Sequence, residues 1–88
     1  MFYVYLLYSN KDHKLYTGFT HNIEARVNRH NNGEVVSTKD RRPLTLIYYE
    51  AYSNEKDAKG REIFLKSGAG KRFLRKQLTN TLKDITVG

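Results

Sequence analysis

The chain has 88 residues, 39% of them hydrophobic and 12% aromatic, which is enough for one modest core and leaves no room for a second. Sixteen Lys and Arg against nine Asp and Glu leave a net charge of +7, which favours polyanionic partners, nucleic acid above all. Cysteine is absent, which excludes a disulfide framework and a thiolate metal site and fits a reducing cytoplasm.

The opening Phe2–Ser9 run is aromatic and aliphatic, with β-branched Val4, and reads as a buried strand. It lacks the basic start and small-residue cleavage site of a signal peptide and is too short to span a bilayer, so no membrane partner is expected. Asn10–His13 carries turn residues and Leu15–Thr20 gives a second strand, hence a β-hairpin. Asn22–Asn32 reads as a helix, with Thr20 or Asn22 as its cap and Gly33 as the residue that ends it. Within it Ile23 and Val27 share a face, and Arg26 and His30, also one turn apart, share a neighbouring one. Glu34–Arg42 is polar and basic, a loop closed by Pro43. Leu44–Tyr52 alternates as a strand, with Leu44, Leu46, Tyr48 and Glu50 on one face and Thr45, Ile47, Tyr49 and Ala51 on the other. Ser53 or Asn54 caps a helix that runs to about Ser67, with Glu55 and Asp57 at the end that favours acids. Gly68-Ala69-Gly70 reads as a break before a last helix, Lys71–Lys83, that buries Phe73, Leu74, Leu78 and Leu82. The expected order is ββαβαα. This is an α/β fold, a small three-stranded antiparallel sheet flanked by helices, in one domain over residues 1–88.

Tyr3-Val4-Tyr5, followed ten residues later by Tyr16-Thr17-Gly18, resembles the paired motifs that name the GIY-YIG nucleases. The resemblance continues through Arg26 and His30 in the first helix and Glu62 in the helix after the third strand, and it spans about Phe2 to Leu78. A Tyr-x-Gly triplet alone recurs by chance; the ordered set carries the specificity. Arg61-Glu62, Phe64-Leu65-Lys66 and the glycine-rich stretch after them resemble the compact single-domain branch of the family. Such members look like a free-standing N-terminal nuclease domain of the bacterial excision-repair excinuclease. The resemblance implies a metal-dependent endonuclease acting on phosphodiesters, DNA in preference to RNA, with a link to DNA repair. It implies a catalytic set of Tyr5, Tyr16, Arg26 and His30, and Glu62 as the ligand of one divalent cation, Mg2+ or Mn2+. Tyr3 stands where the family has Gly, and Leu74 stands where some members carry Asn, while Gly18 keeps the motif.

Phosphodiester hydrolysis needs an activated water, stabilisation of added negative charge and help for the leaving oxygen. Tyr16 would take the water's proton as general base. Phenols ionise near pH ~10, so this role requires cations close by. Taken alone, Tyr16 is more readily an ordinary strand residue. Arg26 offers a planar, permanently charged fork for phosphate oxygens, and alone reads as a solvated helix arginine. His30 would bond the nucleophile or relay a proton, or be an ordinary surface histidine. Glu62 suits a cation that keeps most of its waters, or else an i,i+4 pair with Lys66. Tyr5 would support Tyr16 or the water from the neighbouring strand. Gly60, at a cost of ~1 kcal/mol relative to Ala inside a helix, is read as marking a close approach near Glu62.

Two basic groups, Lys39, Arg41 and Arg42, then Lys66, Lys71, Arg72, Arg75 and Lys76, are read as phosphate-contacting surface or, equally, as solvated faces. Gly68-x-Gly70-Lys71 lacks the spacing of a P-loop, and His13, His21 and His30 lack metal-ligand spacing. The rival to an endonuclease is a catalytically inactive nucleic-acid-binding module that retains the fold. A protein–protein adaptor explains neither the charge nor the polar set. Monomer and homodimer both stay open, since pairing would let two cores cut two strands.

Overall fold

The computed structural model describes residues 1–87; Gly88, the last residue of the expected 1–88 domain, lies outside them. Phe2–Ser9 forms β1 and Leu15–Thr20 forms β2, an antiparallel hairpin with Tyr3 opposite Thr20 and Tyr8 opposite Leu15. Leu44–Tyr52 forms β3 on the other edge of β1, also antiparallel, which gives the order β2-β1-β3. The central strand is covered on both faces, and this explains its nearly unbroken apolar sequence. Its alternation divides the molecule. Val4 and Leu6 join Ala58, Leu65, Leu74 and Leu78 in the main core. Tyr5 and Leu7 face the other way, onto Leu44, Leu46, Val27 and Tyr16.

Helix α1, Ile23–Asn31, covers the Tyr5 side; it starts at Asn22, whose side chain accepts the Ala25 N–H at 3.1 Å. Gly33 follows its end with φ 78, a left-handed turn that suits glycine. Helices α2, Glu55–Lys66, α3, Gly68–Gln77, and α4, Thr79–Val87, occupy the opposite side. Among the described residues no helix is long and apolar enough to cross a membrane.

Four local expectations are corrected. The glycine-rich stretch does not break a helix. Ser67 ends α2 and caps α3, its hydroxyl accepting the Gly70 N–H at 3.1 Å, so Gly68 to Gly70 form the first turn of α3. Gly70 is there for packing, because a Cβ would sit 1.9 Å from the Phe64 carbonyl oxygen. The helix expected over Lys71–Lys83 is two helices, α3 and α4, parted at Leu78. Gly60 marks no close approach: a Cβ there meets nothing within 4 Å.

The last correction concerns β3. Leu7 pairs with Leu46 but Leu6 pairs with Tyr48, so Ile47 is an extra residue and the strand bulges. Leu44 and Leu46 therefore face the Tyr5 side, while Ile47, Tyr48 and Tyr52 face the main core. Glu50 follows Tyr48 to that side, where it accepts hydrogen bonds from the hydroxyls of Tyr48 at 2.5 Å and Tyr52 at 2.7 Å. Arg61 of α2 adds Nε and Nη2 at 2.8 and 3.1 Å, with its guanidinium carbon 5.1 and 4.7 Å from the ring centres of Phe64 and Phe73. Burial pushes the Glu50 carboxyl upward, but the bonds from Arg61, Tyr48 and Tyr52 outweigh it and hold the group below its ordinary value. This network pins α2 to β3.

Candidate active site

Gly18 makes the site possible. It lies opposite Tyr5 in the hairpin, and a Cβ there would be 2.3 Å from the Tyr5 hydroxyl. Without that Cβ the tyrosine ring crosses over β2. Only 1% of Tyr5 is exposed, so its hydroxyl must find partners inside. It finds His30 Nε2 at 2.8 Å and Arg26 Nε at 3.4 Å, both carried by α1.

The chemistry of the partners sets the direction of the chain. A guanidinium only donates, so the Tyr5 proton goes to His30 Nε2. His30 then carries its hydrogen on Nδ1 and donates to the Thr38 hydroxyl at 2.6 Å, and Thr38 donates on to the Val35 carbonyl at 3.5 Å. His30 and Thr38 are fully buried. Burial, helped by the charges of Arg26 and Arg29, pushes the His30 imidazole down to about 4. Burial also raises Tyr5, against the Arg26 hydrogen bond, and the charges of Tyr16 and Glu62 raise it further. Both groups are thus uncharged at neutral pH, and Arg26 is the permanent cation of the relay.

Tyr16 stands beside them on the same face, half-buried, with its ring 5.2 Å from His30 and 6.5 Å from Tyr5, centre to centre. The Ser37 hydroxyl donates to the Tyr16 oxygen at 3.5 Å. Glu62 lies on α2, half-buried, with one carboxylate oxygen 3.1 Å from Lys66 Nζ. Its charge reaches Tyr5. Tyr5, Tyr16, Arg26 and His30 therefore meet on one face, with Glu62 within electrostatic range.

Other expected residues lie apart. Tyr3 packs edge-on against Tyr49 and takes no part in the relay. Leu74, at the position of the family's Asn, is a core residue with no polar contact to offer. Arg41 is committed to Asp12, with Nε 2.6 Å from the carboxylate, and that hydrogen bond above all holds the Asp12 carboxyl down to about 2. Arg42 Nε bonds the Lys39 carbonyl, and Lys66 is paired with Glu62. Lys71, Arg72 and Arg75 are exposed on α3, away from Tyr5. The sequence reading missed Ser37 and Thr38. Two adjacent hydroxyl residues in the loop that follows α1 were the available signal.

Residues 1–76 match the family model of the GIY-YIG catalytic domain. A UPF0213 protein of Clostridium perfringens is 45% identical over 67 residues, covering 75% of this chain and 71% of the relative. A UPF0213 protein of Pediococcus acidilactici is 42% identical over 77 residues, 84% and 78% of the two chains. One from Staphylococcus haemolyticus is 46% identical over 66 residues, 74% and 79%. No solved structure matches the chain. With the family's catalytic domain matched over most of its length and the UPF0213 proteins as relatives, the chain belongs to the GIY-YIG family, whose members are generally endonucleases.

Proposed function

We propose that this protein is a metal-dependent endonuclease that hydrolyses phosphodiester bonds of nucleic acid, DNA in preference to RNA. We place it in the cytoplasm, acting as one domain over residues 1–88 in DNA repair. The observation that carries the reading is the convergence of Arg26, Tyr5, His30 and Tyr16 on one face of a +7 chain.

The donor chemistry suits one hard cation, Mg2+ or Mn2+. Glu62 brings a half-buried carboxylate, one oxygen of which lies 3.1 Å from Lys66 Nζ. No group of three or more His, Asp or Glu gathers among those residues, so Glu62 would hold the ion together with water and substrate phosphate. Bound there, the ion supplies a Lewis acid for the phosphoryl and leaving oxygens. The chain's own residues do the rest. Arg26 holds the phosphate oxygens as negative charge builds on them. Tyr16, in its phenolate form, takes the proton of the attacking water at its hydroxyl oxygen. Tyr5, anchored by neutral His30, fixes the Arg26 guanidinium beside the reacting group.

The test is cleavage of branched, flapped and single-stranded DNA with Mg2+ or Mn2+, comparing wild type with Tyr16→Phe, Arg26→Ala and Glu62→Ala. Wild type should cut, Glu62→Ala should not, and Tyr16→Phe should lose about 10²–10⁴-fold in rate. An inert wild type, or a fully active Glu62→Ala, defeats the proposal. Salt-dependent binding without cleavage in every variant would leave the non-catalytic nucleic-acid-binding module.

A further inference from the structure

On the side of the sheet away from Tyr5, a cavity of about 440 Å³ opens between the β1–β2 hairpin, α3 and α4. That size falls in the ~300–1,000 Å³ range of small-ligand sites. Leu6, Leu65, Leu74 and Leu82 give it an apolar lining. The lining's acids and lysine-type cations are not balanced: Lys14, Lys71 and Arg75 contribute charge, and no Asp or Glu does. None of these three cations has an acidic partner among the described residues. Thr17 adds a hydroxyl, and the buried Tyr8 ring adds an aromatic wall.

The turn that brings Lys14 to this cavity is strained. His13 sits at φ 61, in the left-handed region that side chains rarely adopt, and its Nδ1 is 2.8 Å from the Tyr8 hydroxyl. An apolar chamber whose formally charged lining residues, among those described, are all cationic selects a ligand with an apolar or aromatic body and an anionic head. We propose that this cavity, formed where Lys14, Lys71 and Arg75 ring the leucine-lined space behind β2, binds one unpaired nucleotide of a nucleic-acid strand. The base enters the chamber and the phosphate rests on the three cations.

The placement of β2 supports this choice, which rests on the nucleic-acid reading above. Tyr16 and Thr17 are neighbours on β2, so their side chains leave opposite faces. β2 is also an edge strand. A nucleic-acid strand seated at Tyr16 need only round that free edge to deliver an adjoining nucleotide to the cavity. A paired base would first have to leave its stack, at a cost of a few kcal/mol. The substrate class follows: single strands, flaps and bulges, with an unpaired nucleotide beside the cleaved bond.

The experiment titrates the full chain with thymidine monophosphate, inorganic phosphate and decanoate while backbone amide shifts are followed by NMR. Thymidine monophosphate should move the signals of Thr17, Lys71, Arg75 and Leu82 and saturate at about tenfold lower concentration than phosphate. Equal binding by phosphate, or tighter binding by decanoate, overturns the proposal. A second measurement uses Arg75→Glu with Thr86→Trp at the cavity, after melting curves show the pair folded. Its binding preference for single-stranded over blunt duplex DNA, read without added metal, should fall about tenfold. An unchanged preference in the folded double variant also overturns it. Nucleotide binding in a protein that cleaves nothing supports the cavity assignment and defeats the hydrolase reading; cleavage without nucleotide binding does the reverse.

Discussion

Replacing Gly18 with alanine adds one methyl group, and the structure shows where it lands. The new Cβ would lie 2.3 Å from both Cζ and the hydroxyl of Tyr5 and 2.8 Å from a ring carbon. An exposed side chain would swing away. Tyr5 is 1% exposed and bonded to His30 and Arg26, so its ring has nowhere to go. Overpacking of this kind costs about 1–3 kcal/mol. Losing the Tyr5–His30 hydrogen bond adds about 0.5–1.5 kcal/mol. Gly18→Ala should therefore lose about 1.5–4.5 kcal/mol in urea denaturation, and the His30 ring signals should shift in NMR. A loss under about 0.5 kcal/mol with unmoved His30 signals would refute the claim that Gly18 exists to seat Tyr5.

Three further outcomes follow from the same geometry. His30 titrates at about 4 in the fold against 6.5 ordinarily, so between those values the unfolded chain binds a proton that the fold refuses. Stability is full above about 6.5 and should fall by up to about 3 kcal/mol as pH drops toward 4. Asp12, whose lowered titration lies below its ordinary 3.8, stays out of that window. Urea midpoints from about pH 7.5 to about 4.5 should slope in wild type and flatten in His30→Gln; parallel slopes would count against the assignment. Thr38→Val strands the buried His30 Nδ1–H and should cost about 1–3 kcal/mol, while Thr38→Ser should restore most of it in the same assay. Gly60→Ala meets open space and should stabilise the protein by about 0.4–1 kcal/mol, read as a higher melting temperature.

All three strands and the first two helices could be read from the chain because each rests on local signals: apolar runs, Asn22 and Asn54 as caps, and Gly33 beyond a helix end. The bulge at Ile47 could not. Either face assignment of Leu44–Tyr52 alternates equally well, and only pairing with β1 decides where the extra residue falls. Gly68 to Gly70 failed for a related reason. Glycine breaks helices by propensity, but here α2 leaves no space for a Cβ at Gly70, and Ser67 caps a new helix. At the site, Arg26 and His30 could be paired from their helical spacing. Thr38 could not, because its bond to His30 depends on how the α1–β3 loop folds back. Ser67 and Thr38 also show how a single hydroxyl can organise a turn that composition labels merely polar.

The bulge in β3 makes that strand a two-ended strut. Upstream of Ile47, Asn31 at the end of α1 grips Leu44 at both its N–H and its carbonyl, at 2.8 and 2.9 Å. Downstream, Glu50 grips Arg61 in α2. One end thus anchors the helix that carries Arg26 and His30, and the other anchors the helix that carries Glu62. The residue count between Leu44 and Glu50 is therefore a ruler for the gap between guanidinium and carboxylate. Removing the extra Ile47 would leave Leu46 and Tyr48 on alternate faces and Glu50 where it is. Removing Tyr49 would instead shorten that ruler by one position and turn Glu50 toward the wrong face, separating the two halves of the site without altering any residue proposed to act in it.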